Sequence, residues 1–328
     1  MPRRDNPRAA IRSGAPALNL TLKPKRSVSF TARSAIALAA GLIAAVVVAP
    51  IAAVAVAHAG WRFPFPKIFD RTVMATLFLA MLWAARDLQL GSLLARGFNH
   101  PAKESSIRAL RGLAVSFCTL AILFALALWV GGSGTGDFKA VASRIPGYIL
   151  SAIAIAIIEE GFFRAFLLGG MRTDFGDKGA LLASSAFYAV AHLVRSPARF
   201  YVTQYAPTAG LVTLAHSMDQ LSHPSTAIPT LLGLFLLGIV LGEAYLLTGS
   251  VYFSIGLHCG FVLGAKLWPK IVLNHATQPW WIAGPGPVPL ISAPSAWTLA
   301  IIILISLRPL AGASAARAEA RDPSLRSG

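Results

Sequence analysis

Two adjacent carboxylates, Glu159 and Glu160, stand in a stretch from residue 149 to 168 whose only other polar side chains are Ser151 and Arg164. A run of about 20 apolar residues is what a helix needs to cross the hydrocarbon core of a bilayer. A single segment at that depth must be helical, because only a helix satisfies its own backbone hydrogen bonds there. An acidic side chain near the middle costs about 2.5–3.5 kcal/mol on insertion scales, so its default reading is a functional site. On a helix Glu160 and Arg164 are i,i+4 neighbours and can neutralise each other. Glu159 is rotated about 100° away and has no local partner. This divides the labour: Glu160 with Arg164 as support, Glu159 free for chemistry. The alternative open at this point is a Glu–Arg pair that only locks two transmembrane helices together.

The rest of the chain is of the same kind. With 55% hydrophobic and 13% charged residues in 328, it is too apolar for an ordinary soluble domain and reads as a polytopic membrane protein. The net charge of +16 would suit a nucleic-acid partner. The basic residues, however, cluster in the tails and between apolar runs, as in the cytoplasmic flanks of membrane helices. No nucleic acid is expected, and anionic membrane lipid is the expected partner of the tails. Cys118 and Cys259 both lie in apolar segments, so neither a disulfide framework nor a cysteine metal site is implied.

The expected fold is all-α, a polytopic transmembrane helical bundle of about eight spans. Residues 1–33 read as a disordered basic cytoplasmic tail and 34–144 as N-terminal membrane spans. Residues 145–268 form the helical core carrying the acidic pair, and 269–328 a loop, a last span and a basic cytoplasmic tail. The spans fall at 35–57, 73–85, 113–130, 145–170, 180–194, 228–247, 251–267 and 295–307. Ala57-His58-Ala59 resembles a signal-peptidase site, but the basic region ahead is too long for a signal peptide, so the first run is kept as an anchor. A glycine-rich turn at 131–136 closes the third span. The segment 195–227 is expected to lie at the interface or cap the bundle, with Trp280 and Trp281 as interfacial anchors. Counting Lys and Arg puts both termini in the cytoplasm, with a bacterial inner membrane as the expected location. No internal repeat is found.

Two further rare polar side chains sit in apolar spans, His192 in the fifth and His258 in the seventh. A lone intramembrane histidine is usually a packing or hydrogen-bonding residue. Together with Glu159, two imidazoles in a low-dielectric cavity can bind a metal or position a water, with Glu159 as general base. Either arrangement suits hydrolysis. The three can meet if the fifth span runs on past Arg195. Small neighbours around His258, in Gly256-Leu257-His258-Cys259-Gly260, let another backbone or a substrate come close. Glu243 is expected to snorkel or pair, and His216, Asp219 and His223 to be solvated loop residues.

These residues carry a family resemblance. Glu159-Glu160-Gly161-Phe162-Phe163-Arg164 matches an EExxxR motif and Tyr188-Ala189-Val190-Ala191-His192 resembles FxxxH. Residues 235–258 resemble the segment leading into a last catalytic histidine. The three in order are similar to the CPBP intramembrane proteases, the CAAX prenyl protease 2 or Abi group. The resemblance covers about residues 145–267. It implies a helical-bundle membrane endopeptidase acting on a peptide or membrane-protein substrate, with CAAX-type C-terminal processing among the options. Glu159 and His192 would activate water, His258 would stabilise the oxyanion, and Glu160 and Arg164 would hold the first helix of the site. Zinc on Glu159, His192 and His258 is an option the resemblance leaves open.

One position departs from the pattern. The family usually has Asn or Asp four residues after the last histidine, and here Val262 stands there, which can neither donate to an oxyanion nor ligate a metal. One alternative follows, a family member that has lost hydrolysis and acts as a binding or scaffold protein, and the intramembrane polar residues leave open another, a transporter using Glu159 and the histidines as a proton relay. The last would be expected to show inverted repeats.

Overall fold

A helix that is apolar on every side is stable only in a protein core or a membrane. Among the described residues four helices are long and apolar enough to cross a membrane: Phe30–His58, Ala102–Gly131, Pro224–Thr248 and Val251–Ile271. A fifth apolar stretch, Pro294–Leu307, is shorter. The computed structural model describes residues 28–131, 138–193, 199–272, 278–285 and 289–321. In chain order these form α1 (Phe30–His58), α2 (Phe65–Trp83), α3 (Leu90–Phe98), α4 (Ala102–Gly131), α5 (Phe138–Ala142) and α6 (Ile145–Glu160). A π-helical stretch (Gly161–Leu168) leads into α7 (Gly169–Leu193) and α8 (Ala209–Ser217). After a 3-10 turn at Asp219–Ser222 come α9 (Pro224–Thr248), α10 (Val251–Ile271), α11 (Trp280–Ala283), α12 (Pro289–Ser292) and α13 (Pro294–Arg321). Among the described residues there is no strand, so the all-α expectation holds.

Several boundaries differ from the sequence reading, each for a local reason. α1 begins at Phe30, inside the expected 1–33 tail, because Ser29 Oγ accepts the Ala32 N–H as an N-cap. The weak second span is part of a longer helix, α2, which opens with Pro66 in its first turn. The fourth span does not stop at residue 170. Helix runs on through the π-helical stretch to Phe175, where Gly176 at φ 66° breaks α7 into two arms, a conformation that suits glycine. Segment 195–227 contains α8, which packs against α1 and α2 and so caps that pair. The last span continues as helix to Arg321. The expected glycine-rich turn falls largely on 132–137, outside the described residues, as do 1–27 of the tail.

The helix that organises the packing is α10. It lies against α4, α6 and α9, while α9 in turn packs on α7 and α13. The approach of α4 to α10 is set by missing side chains. A Cβ on Gly256 would collide with the Ala109 carbonyl, and one on Gly112 with the Phe253 carbonyl. The small residues around His258 thus admit the backbone of α4.

Candidate functional site

Glu159 and His192 lie almost equally far along the chain from Gly176, so folding the two arms back on each other brings them to the same depth. Glu159 Oε2 is 3.3 Å from His192 Nε2. From α10, His258 Nε2 approaches the same carboxylate oxygen at 3.8 Å. The fifth helix therefore need not extend past Arg195 for the three to converge. They meet because the arms are antiparallel about a glycine.

Behind this front stands a second, buried layer. Glu160 Oε1 accepts from His258 Nδ1 at 2.8 Å, and Glu160 Oε2 is 3.3 Å from Arg164 Nε. Burial separates the layers: the side chains of Glu160 and Arg164 are 0% and 1% exposed, whereas Glu159 and His192 keep 25% and 29%, and His258, at 3%, joins the two. Of the two carboxylates, only Glu159 can reach water. The pairing of Glu160 with Arg164 agrees with the i,i+4 reading, and its hydrogen bond to His258 is an addition that sequence spacing does not give.

Arg164 is held by more than charge. Its guanidinium lies 4.9 Å from the Tyr188 ring centre and 5.8 Å from that of Phe163, within cation–π range. The Tyr188 ring is also 4.2 Å from the His192 ring. One aromatic side chain thus supports both the buried cation and an imidazole, which is a physical reason for an aromatic residue four positions before the histidine. The π-helical stretch that carries Phe163 and Arg164 is nearly all buried, and such stretches recur at functional sites.

Hydrogen bonding orients both imidazoles. His192 Nδ1 lies 2.9 Å from the Tyr188 carbonyl, which accepts its N–H and leaves Nε2 facing Glu159. The Glu160 carboxylate does the same for His258, again leaving Nε2 toward the front. One carboxylate and two imidazole nitrogens are a donor set that zinc accepts. Among the described residues no group of three or more His, Cys, Asp or Glu side chains that could hold an ion is found.

The three front groups open into a cavity of about 440 Å³. Its wall is apolar, built from α4, α6, α7, α9, α10, α12 and α13, with Val262, Lys266 and Trp297 among the lining residues. Glu243 is half-buried on α9 and is not part of that wall. His216, Asp219 and His223 are exposed, and both histidines bond backbone carbonyls of their own turns. The sequence reading missed the part played by Tyr188 as a platform for Arg164. It also passed over Lys266, although a lysine in an apolar span is a signal in itself.

No curated protein and no solved structure matches the chain. Residues 141–264 match the family described as type II CAAX prenyl endopeptidase Rce1-like. That segment contains all five residues of the two layers, and the likeness of this part of the chain to the CPBP/CAAX protease family, read first from three short motifs, is thereby shown.

Proposed function

We propose that this protein is a membrane-embedded endopeptidase that hydrolyses a peptide bond of a membrane-associated substrate with a water activated by Glu159 and His192. The observation that carries the proposal is the convergence of Glu159, His192 and His258 at the wall of an apolar cavity. Glu159 Oε2 and His192 Nε2 are in direct contact at 3.3 Å, so the water sits beside the pair on its cavity side and donates to the Glu159 carboxylate. Glu159 takes one proton as the oxygen adds to the scissile carbonyl carbon. The carbonyl oxygen becomes an oxyanion, which an Nε2–H of His258 would stabilise by a hydrogen bond while Glu160 holds the ring through Nδ1. Glu159 then returns its proton to the amide nitrogen as the oxyanion re-forms the carbonyl and the C–N bond breaks, leaving a carboxylic acid and an amine, and the acid's remaining proton passes to the amine to give carboxylate and ammonium. Exclusion of bulk water strengthens each of these interactions.

The similarity of residues 141–264 to the type II CAAX prenyl endopeptidases supports C-terminal processing of the CAAX type as the substrate class. In the same reading the chain crosses a bacterial inner membrane about eight times with both termini cytoplasmic. This is supported by the basic connections between apolar helices. Metal analysis of the purified protein tests directly whether Glu159, His192 and His258 hold zinc.

Val262 favours a second reading. It lines the cavity one turn beyond His258, where the family's usual Asn or Asp would supply a further polar group. Loss of one oxyanion donor costs about 100- to 1000-fold in rate, which would leave a binding or scaffold protein. The deciding experiment is cleavage of membrane-anchored peptides by protein in detergent, wild type beside Glu159→Gln and His258→Ala. The expected result is cleavage by wild type alone. Cleavage undiminished in Glu159→Gln would sink the mechanism, and no cleavage by any form would favour the second reading.

A further inference from the structure

Lys266 is a cation in the wall of the cavity that nothing in the proposed reaction uses. It lies on α10 eight residues beyond His258, about 12 Å along the helix rise. Among the described residues no carboxylate pairs with it. Its Nζ lies 5.9 Å from the centre of the Tyr148 ring. An aromatic face attracts an ammonium but does not neutralise it. An ammonium on a membrane helix is costly and is usually paired or functional.

We propose that Lys266 binds the free C-terminal carboxylate of the substrate and so makes the enzyme select chain ends. This rests on the endopeptidase reading above. The distances agree with it. An extended peptide covers about 3.3–3.6 Å per residue, so about 12 Å corresponds to three or four residues between the hydrolytic groups and the lysine. The wall between the two ends, formed on α10 by Phe261, Val262 and Ala265, offers only apolar contact to the intervening side chains. An internal segment of a longer chain could not end at Lys266, and an amidated terminus would bring no charge to it.

The test uses full-length protein in nanodiscs and an apolar fluorescent peptide with either a free C-terminal carboxylate or a C-terminal amide. Binding is read by anisotropy on Glu159→Gln, which keeps the peptide intact, with Lys266 retained or changed to Met or Arg. The acid form is expected to bind about 10- to 100-fold more tightly than the amide, the scale of a hydrogen bond to a charged group. Lys266→Met should erase that difference by weakening the acid alone, and Lys266→Arg should keep it. Equal binding of acid and amide, or equal weakening of both by Lys266→Met, would overturn the assignment. So would displacement of the acid, dependent on Lys266, when phosphatidylglycerol is raised in the nanodisc, since the site would then be one for lipid headgroups. Cleavage in the wild-type background separates the two proposals. Glu159-dependent cleavage of acid and amide alike removes the role of Lys266 and keeps the endopeptidase. Acid-selective binding without Glu159-dependent cleavage does the reverse.

Discussion

Glu159 and Glu160 are neighbours in the chain and opposites in surroundings, and the difference predicts opposite phenotypes. Glu160 faces both Arg164 and His258 with no exposure, so Glu160→Gln leaves a buried guanidinium without its counter-charge. Breaking a buried pair from one side costs about 3–5 kcal/mol, and a large drop in melting temperature in detergent is expected. Glu159→Gln removes no such support and should melt near wild type while losing cleavage. If the two variants melted alike, the division into a buried and a reacting carboxylate would fall. Val262 gives a second test at this scale. Val262→Asn places an amide one turn from His258 in the cavity wall, and kcat is expected to rise about tenfold or more with KM little changed. The upper bound is the 100- to 1000-fold attributed to one oxyanion donor. An unchanged or lower kcat would mean that another group already serves the oxyanion. The i,i+4 pair was legible in the sequence because helical spacing alone makes those residues neighbours. The hydrogen bond between Glu160 and His258 was not, because it joins positions 98 residues apart and depends on how α10 seats against α6.

Among the elements, the long apolar helices were readable from run length, since a bilayer demands about 20 apolar residues from any helix that spans it. The connection between the spans at 145–170 and 180–194 was readable in the same way, from Arg172 and Lys178, but that it is a sharp break at Gly176 was not, because a positive φ leaves no pattern in hydropathy, and that break is what brings His192 to Glu159. Beside it, Asp174 ties the start of α1 to this turn. Its carboxylate accepts from the Thr31 N–H at 2.7 Å, the Thr31 hydroxyl at 2.6 Å and the Phe30 N–H at 3.3 Å. Partial burial works to raise the Asp174 carboxyl, but these hydrogen bonds outweigh it and hold the group below its ordinary range. A carboxylate lowered in the folded state stabilises it above the unfolded value, about 3.9, and that stabilisation is lost as pH falls through the lower folded value. Asp174→Asn should therefore melt below wild type at pH 6 and alongside it well below pH 4. A difference that persisted unchanged at low pH would show that the carboxylate's charge is not what joins α1 to α7.

At the scale of the whole molecule, the five residues of the candidate site and the cavity they face come from different parts of the chain. All five buried and front residues lie within 141–264, the segment with family likeness, yet α4, α12 and α13 supply much of the wall. Trp297 on α13 donates to the Ile291 carbonyl at 2.8 Å and so ties the last long helix to α12 across that wall. If the catalytic layer is common to the family, substrate shape in this chain is set by helices outside the matched segment. Ala300 tests this, because it lines the cavity from α13 and belongs to neither layer of the site. Ala300→Phe should narrow the space, raising KM for substrates with bulky apolar residues about tenfold or more, the scale on which an apolar pocket discriminates size. It should leave kcat for a small-residue substrate close to wild type. Overpacking can itself cost about 1–3 kcal/mol, so the melting temperature is read on the same sample. A uniform fall in kcat across substrates, with a normal melt, would mean that α13 controls the geometry of Glu159 and His192 rather than the fit of the substrate.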